Sequence, residues 1–386
     1  MKTAVHFGAG AIGRGLLGDL LFESGYRLVI VDTNQQVIDQ INETNSFDLI
    51  EVDRGNNRKT ITNVCAYNSI NQEEKVVEEI ANAEILTTSV RVENLKWIAP
   101  VIAKGLLKRL ENQIDPINIL AFENAYKASD ILRDLILEKD TQVTEEVLEK
   151  TARFANTITD RGVMLIEEDG KSVVQVGEDF EAAVEQTALF DPESKPIKDA
   201  AYTKNIDLVI DRKLFIINGG HCYCGYLSNI KGYTEIQEGF ADEEIYNTVR
   251  EEMREVASML SKKYDLEFKE LADYVEFALN RYVEAKYVDM VTRVSRNPIR
   301  KLGAKDRLVS PGLQAEAMGL PYDNIAKAIA APFFFDNQDD EESQTIQRFI
   351  KENGIEKAIT EYTTIQPDTG LYKAVLNHIR AFKGEK

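Results

Sequence analysis

Cysteine and histidine are scarce in this chain: its 386 residues hold three cysteines and three histidines. Cys65, Cys222 and Cys224 form an odd, sparse set, which argues against a disulfide framework and for a reducing compartment. The same scarcity weighs against zinc. His221, Cys222 and Cys224 lie too close together for a tetrahedral site and no second ligand cluster follows, so no metal is expected. His6 falls in the first predicted strand and reads as a core residue; His378 falls in the last predicted helix. Long apolar runs are missing too. None approaches the ~20 residues of a membrane span, and "MKTAVHFGAG" enters structure at once, without the layout of a signal peptide. A cytoplasmic protein without a membrane partner is the expectation. Positive charge is also short: 46 Lys and Arg against 65 Asp and Glu leave a net −19. Such a surface repels nucleic acid and anionic membranes. No internal repeat or long low-complexity tract occurs.

What remains is an ordinary globular composition, 44% hydrophobic and 29% charged. The length exceeds one compact core, so two domains are expected, residues 1–198 and 199–386. In the first, apolar runs at 3–8, 27–31, 84–90 and 117–123 alternate with helical patterns at 9–24, 34–42, 72–82 and 94–112. Apolar strands without alternation predict a parallel sheet covered on both faces, an α/β arrangement. Around 162–182 two short runs flank "EDGK", a β-hairpin signal. From about residue 200 the pattern is mainly α-helical, with apolar spacings of three and four in 243–264, in 268–284 and again in 323–386. "DNQDDEES" (336–343) reads as a solvated loop.

The stretch "GAGAIG" (8–13) sits between the first strand and its helix, and Asp32 ends the second strand. In that setting Gly8 makes a tight turn, Gly10 lets the backbone approach a pyrophosphate, and Gly13 lets helix and strand pack closely. Ala9, Ala11 and Ile12 supply the intervening amides, and the helix N-terminus offers N–H groups to phosphate. Asp32 can accept a ribose diol and repels a 2′-phosphate, which favours NAD over NADP. Thr87 and Thr88 end one strand, and Glu123 and Asn124 end another, at the edge where ligands of open α/β sheets lie.

A second constellation is "DRKLFIINGGHCYC" (211–224). At about 100° per residue, Asn218 and His221 lie about 140° and 80° from Lys213, on one broad helix face. A lysine whose pKa is lowered by burial and a neighbouring positive charge can take the hydroxyl proton as an alcohol is oxidised. An asparagine amide can stabilise the developing alkoxide, and a histidine can orient either. The pair Gly219–Gly220 suggests that something bulky, such as a nicotinamide ring, approaches closely. Further on, "TRVSRNPIRKLGAKDR" (292–307) gathers Arg293, Arg296, Arg300, Lys301, Lys305 and Arg307 against Asp306 alone. These cations either hold an anionic ligand, a phosphate or carboxylate, or pair with the abundant acids.

"VHFGAGAIGRGLLG", "LTTSV", "AFENA", "RKLFIINGGH" and "RVSRNPIRKLGAKDRL" resemble, in order, the motifs of the polyol-specific long-chain dehydrogenases. The resemblance implies a Rossmann-type N-terminal domain, a mostly helical C-terminal domain and an active site between them. It further implies metal-free, NAD-dependent interconversion of mannitol 1-phosphate and fructose 6-phosphate. Carried onto this chain, the catalytic residues are Lys213, Asn218 and His221. The substrate-binding residues are Asn124, Asp160, Arg293 and Lys301. Departures occur at Ala11, at Arg91 where the resemblance implies glycine, at Gly219 for threonine, and in "ITDRGVM" beside Asp160. A hexuronate reductase of the same family and an NADH-binding redox sensor without turnover are the alternatives. The partner is a small phosphorylated polyol or ketose, and the protein is a monomer or small homo-oligomer.

Overall fold

A computed structural model describes residues 2–284 and 288–384. The chain divides into two compact units, between Val209 and Ile210.

The first unit is built on a six-stranded, all-parallel sheet. In chain order the unit's strands are β1 (Thr3–Phe7), β2 (Arg27–Asp32), β3 (Ser46–Glu51), β4 (Asn57–Thr62), β5 (Val64–Asn68), β6 (Ile85–Thr88), β7 (Ile117–Ala121), β8 (Ala152–Phe154), β9 (Thr157–Glu168), β10 (Lys171–Glu185) and β11 (Ala201–Thr203). The large sheet runs β5-β2-β1-β6-β7-β8. Successive residues of its central strands feed opposite cores. Ala4, Leu28 and Ile30 join one apolar cluster, whereas Val5, Phe7, Val29 and Val31 join the other. This two-sided burial is why the strands read as unbroken apolar runs. Strand order reverses between β1 and β6, the switch point at which such sheets bind ligands.

A smaller sheet, β11-β10-β3-β4 with β9 on β10, covers one face. The predicted hairpin is β9–β10. Asp169 and Gly170 both take positive φ, 51° and 72°, and Glu168 pairs with Lys171 across a two-residue turn. The β3–β4 hairpin carries little sequence signal, because β4 ("NRKTIT") has one buried apolar residue, Ile61, on a charged edge.

The second unit is helical around a single apolar cluster. Its longest helix, Glu243–Tyr264, buries Ile245, Val249, Met253, Val256 and Leu260 at spacings of four and three. The Asp242 side chain caps its start, and Asp265 ends it in a left-handed conformation. The loop expected at 336–343 is shorter than the composition suggests. Helix Glu341–Asn353 already begins there, and Asp340 is buried as its cap, accepting from Ser343 N and Asn297 N. Acidic residues at a helix start look like solvated loop in composition but are consumed by free amides.

Candidate active site

The glycine turn leads from β1 into a helix over 11–23 whose middle, Gly13–Gly18, is π-helical. Gly8 has φ 114°, and a Cβ there would lie 2.7 Å from the Ser89 carbonyl oxygen, so β1 and the turn after β6 touch backbone to backbone. At Gly13 a Cβ would lie 1.9 Å from the Gly8 carbonyl oxygen and 2.7 Å from His6 Nε2. Gly10 differs: nothing lies within 4 Å of a Cβ built there. The outer two glycines are consumed by packing, and the middle one faces open space at the helix N-terminus. That cradle fits a dinucleotide pyrophosphate.

Asp32 does more than end β2. Its carboxylate accepts from Ala9 N at 2.6 Å, Thr33 N at 2.7 Å and Asn34 N at 2.8 Å. Three of about four acceptor positions on a carboxylate are thereby used, leaving room for one ribose hydroxyl. Arg14, buried, ties the turn from beneath, donating to the Ala9 carbonyl, the Ser172 carbonyl and Ser172 Oγ. Burial lowers its pKa to about 10.

The strand ends across the switch point are more committed than expected. Thr87 and Thr88 are fully buried. Thr87 Oγ1 pairs with His6 Nδ1 at 2.7 Å, and Thr88 Oγ1 donates to Glu123 at 2.6 Å. Their hydroxyls therefore shape the wall instead of facing a ligand. His6 is a core residue, as expected; burial pulls its pKa down to about 4, so it is neutral and spans Thr87 and Ser89. Glu123 accepts from Val90 N and Arg91 N as well, fixing the turn that follows β6. Sequence reasoning placed Glu123 at the right edge but gave no sign that its carboxylate points back into the protein. Asn124, the next residue, is exposed. Asp160, half-buried, lies on β9, three residues from Thr157, whose hydroxyl bonds the Ala121 carbonyl at the end of β7. It thus sits about 10 Å along the strand from that tie.

Lys213 and Asn218 occupy one π-helical stretch, Arg212–Asn218, continued by the helix Gly219–Lys231. The 100° wheel does not apply there. In a π turn bonding reaches from i to i+5, so residue 218 returns over residue 213. Lys213 is 7% exposed, and Asn218 Nδ2 is buried without a hydrogen-bond partner among the described residues. An orphaned amide donor costs about 1–3 kcal/mol, which marks it as awaiting an acceptor. His221 stacks on Tyr282 (centroids 4.7 Å apart), and its Nε2 lies 3.5 Å from Asp289 Oδ2. Arg293 donates two hydrogen bonds to the same, nearly buried carboxylate. Asp289 was missed because it precedes the basic stretch by three residues; its signal was the i,i+4 spacing to Arg293.

The two glycines differ, and at Gly220 the close approach is to the protein itself. A Cβ on Gly220 would lie 2.6 Å from Met253 Sδ, and one on Gly219 would lie 3.4 Å from the Arg307 carbonyl oxygen. The close approach is made by the chain's own helix Glu243–Tyr264. Cys222 and Cys224 are buried, and burial raises their thiols to about 11 and about 12. Among the described residues no three His, Cys, Asp or Glu side chains are grouped to hold a metal ion.

The basic stretch splits in two. Arg293 pairs with Asp289 and Arg307 with Asp306, while Lys301 is buried, donating to the Val294 carbonyl with its ammonium over the Tyr226 ring. Burial lowers the Lys301 pKa to about 8. Arg296, Arg300 and Lys305 are exposed, with side chains in no ion pair among the described residues.

The N-terminal residues 2–198 match the model of the mannitol dehydrogenase Rossmann domain, and residues 205–382 match that of the mannitol dehydrogenase C-terminal domain. The chain belongs to the mannitol dehydrogenase family. It is 36% identical over 373 residues to the mannitol-1-phosphate 5-dehydrogenase of Geobacillus stearothermophilus, covering 96% of this chain and 97% of the relative. The enzyme of that name from Talaromyces marneffei is also 36% identical, over 97% of each chain. Among solved structures, a substrate-free D-sorbitol dehydrogenase superposes with a TM-score of 0.81 at 12% identity, over 99% of this chain and 93% of the other. Mannitol 2-dehydrogenase of Pseudomonas fluorescens, solved with NAD and D-mannitol, superposes with a TM-score of 0.73 at 14% identity, over 99% and 92%. This protein is therefore a dehydrogenase with the fold of those enzymes. No described helix is long and apolar enough to cross a membrane.

Proposed function

We propose that the protein is an NAD-dependent dehydrogenase interconverting mannitol 1-phosphate and fructose 6-phosphate. The observation that carries the chemistry is the π turn joining buried Lys213 to the buried Asn218 Nδ2, which has no hydrogen-bond partner among the described residues. The full-length relatives named for this activity support the substrate. The open space at Gly10 supports the cofactor, and Asp32 supports NAD over its 2′-phosphorylated form. In this reading residues 1–198 bind the dinucleotide at the turn shaped by Gly8, Gly10 and Gly13 and at Asp32, with the amides of Ala11 and Ile12 toward phosphate, the Ala9 amide being spent on Asp32, and with Thr87 and Thr88 bracing the opposite wall. Residues 199–386 carry the proton chemistry.

When bound, the nicotinamide supplies the hydride acceptor. Lys213 Nζ takes the proton from the substrate hydroxyl as the carbon–hydrogen bond breaks. Asn218 Nδ2 donates to the same oxygen as it becomes a carbonyl. His221, clamped between Tyr282 and Asp289, orients that oxygen. Asn124 and Asp160 hold sugar hydroxyls. Arg293, oriented by Asp289, and Lys301 hold the phosphate, which needs a local source of positive charge on a chain of net −19.

The test mixes purified protein with NADH or NADPH and fructose 6-phosphate, fructose, fructuronate or tagaturonate, following absorbance at 340 nm. NADH oxidation only with fructose 6-phosphate is expected. Turnover of a hexuronate instead refutes the phosphate reading. Lys213→Ala is expected to lower kcat at least 100-fold while NADH still quenches protein fluorescence; unchanged kcat would remove lysine from the chemistry.

A further inference from the structure

Arg91 stands where an arginine is costly. Its φ is 75° and its ψ is 141°. Asn45, Lys127, Asp265 and Asn297 also have positive φ, but they rest in the ordinary left-handed well, with ψ between 38° and 56°. Arg91 lies outside it, in a region that glycine adopts freely and a side chain resists. Such an outlier persists only where its surroundings over-determine it.

The surroundings do so. The Arg91 amide donates to Glu123 at 2.8 Å, Val90 N donates to the same carboxylate at 2.9 Å, and Thr88 Oγ1 anchors it at 2.6 Å. This turn forms the wall opposite the glycine motif, because the Ser89 carbonyl is packed against Gly8. The Arg91 side chain is exposed, and among the described residues its guanidinium has no hydrogen-bond or ion-pair partner. An unpaired cation is thus held in an unfavourable backbone conformation, at the sheet's switch point, on a strongly acidic chain. A dinucleotide held by this motif would place its 2′-hydroxyl end at Asp32, on the other side of β1, and its pyrophosphate between the glycine turn and the turn after β6.

We infer that Arg91 is a further binding residue for the dinucleotide, its guanidinium closing on the pyrophosphate from the β6 side while the amides of the glycine turn hold it from the β1 side. This rests on the dinucleotide reading given above. The Glu123 carboxylate fixes the backbone from which the Arg91 side chain extends.

Calorimetric titration of the full chain with NADH, ADP-ribose and AMP tests it, using wild type, Arg91→Gly and Arg91→Lys. Glycine suits the observed φ, so the Arg91→Gly melting temperature is expected to equal or exceed that of wild type. Its Kd for NADH and ADP-ribose is expected to rise roughly tenfold, the loss of one charge-assisted hydrogen bond. The Kd for AMP, which has no pyrophosphate, should change less than threefold, and Arg91→Lys should fall between. The salt dependence of NADH binding should flatten in Arg91→Gly. Equal NADH affinity in wild type and Arg91→Gly overturns the inference alone. A rise confined to KM for the sugar phosphate also overturns it, moving the guanidinium to the substrate. Failure of wild type to bind both NADH and ADP-ribose overturns the dinucleotide reading together with the inference.

Discussion

Replacing Gly10 by alanine separates the folding role of the glycine motif from its binding role. The open space around a Cβ at this position, and a backbone φ outside the left-handed region, mean that alanine fits the folded chain. Alanine also restricts the unfolded chain, so Gly10→Ala should leave stability unchanged or raise it by about 0.4–1 kcal/mol. The same methyl would fill the space through which, in the function proposed above, backbone amides reach the pyrophosphate. Loss of one charged hydrogen bond there costs about 1.5–3 kcal/mol, a rise in the NADH Kd of roughly 10- to 150-fold. Gly13→Ala is the control. Its Cβ meets a backbone carbonyl oxygen at 1.9 Å, which neither partner can relieve by rotating a side chain, so folding itself should suffer by about 1–3 kcal/mol or more. Thermal melts and NADH titration of both variants read the two effects. If Gly10→Ala binds NADH like wild type, or loses as much stability as Gly13→Ala, the assignment of the open space to the cofactor fails.

Three further outcomes follow from buried polar groups. Glu252 is fully buried and both its carboxylate oxygens lack hydrogen-bond partners among the described residues; burial pushes its pKa well up. The folded state therefore holds this proton to higher pH than the unfolded state, and stability falls as pH rises above the ordinary carboxylate range. Glu252→Met should raise the melting temperature more at pH 8 than at pH 5, and an equal gain at both would show that the carboxyl is not what titrates. Asp289→Asn removes the carboxylate shared by His221 and Arg293; we expect kcat/KM to fall by roughly tenfold or more with NADH affinity kept, and a variant that loses only stability would reduce Asp289 to a structural residue. Native protein treated with a thiol reagent at pH 8 should leave Cys222 and Cys224 unmodified, because both are buried with raised thiol pKa values; mass-spectrometric labelling of either without unfolding contradicts this.

The parallel sheet, the glycine turn, the Asp-Gly hairpin and the helical second half are legible in the chain alone, because each rests on local signals. Continuous apolar strands, glycines between strand and helix, and apolar spacings of three and four are all written within some twenty residues. The lysine, asparagine and histidine could be put forward together for the same reason, lying within nine residues of one another in the chain. Which polar atoms are spent follows from the folded arrangement. Glu123 turns inward to hold Val90 and Arg91, Thr87 closes on His6, and Asp289 joins His221 to Arg293. It also replaced a ligand by Met253 at Gly220 and turned a regular helix into a π turn between Lys213 and Asn218. A hydrogen bond or a close packing contact is a property of two partners, and a chain read one residue at a time shows only one of them.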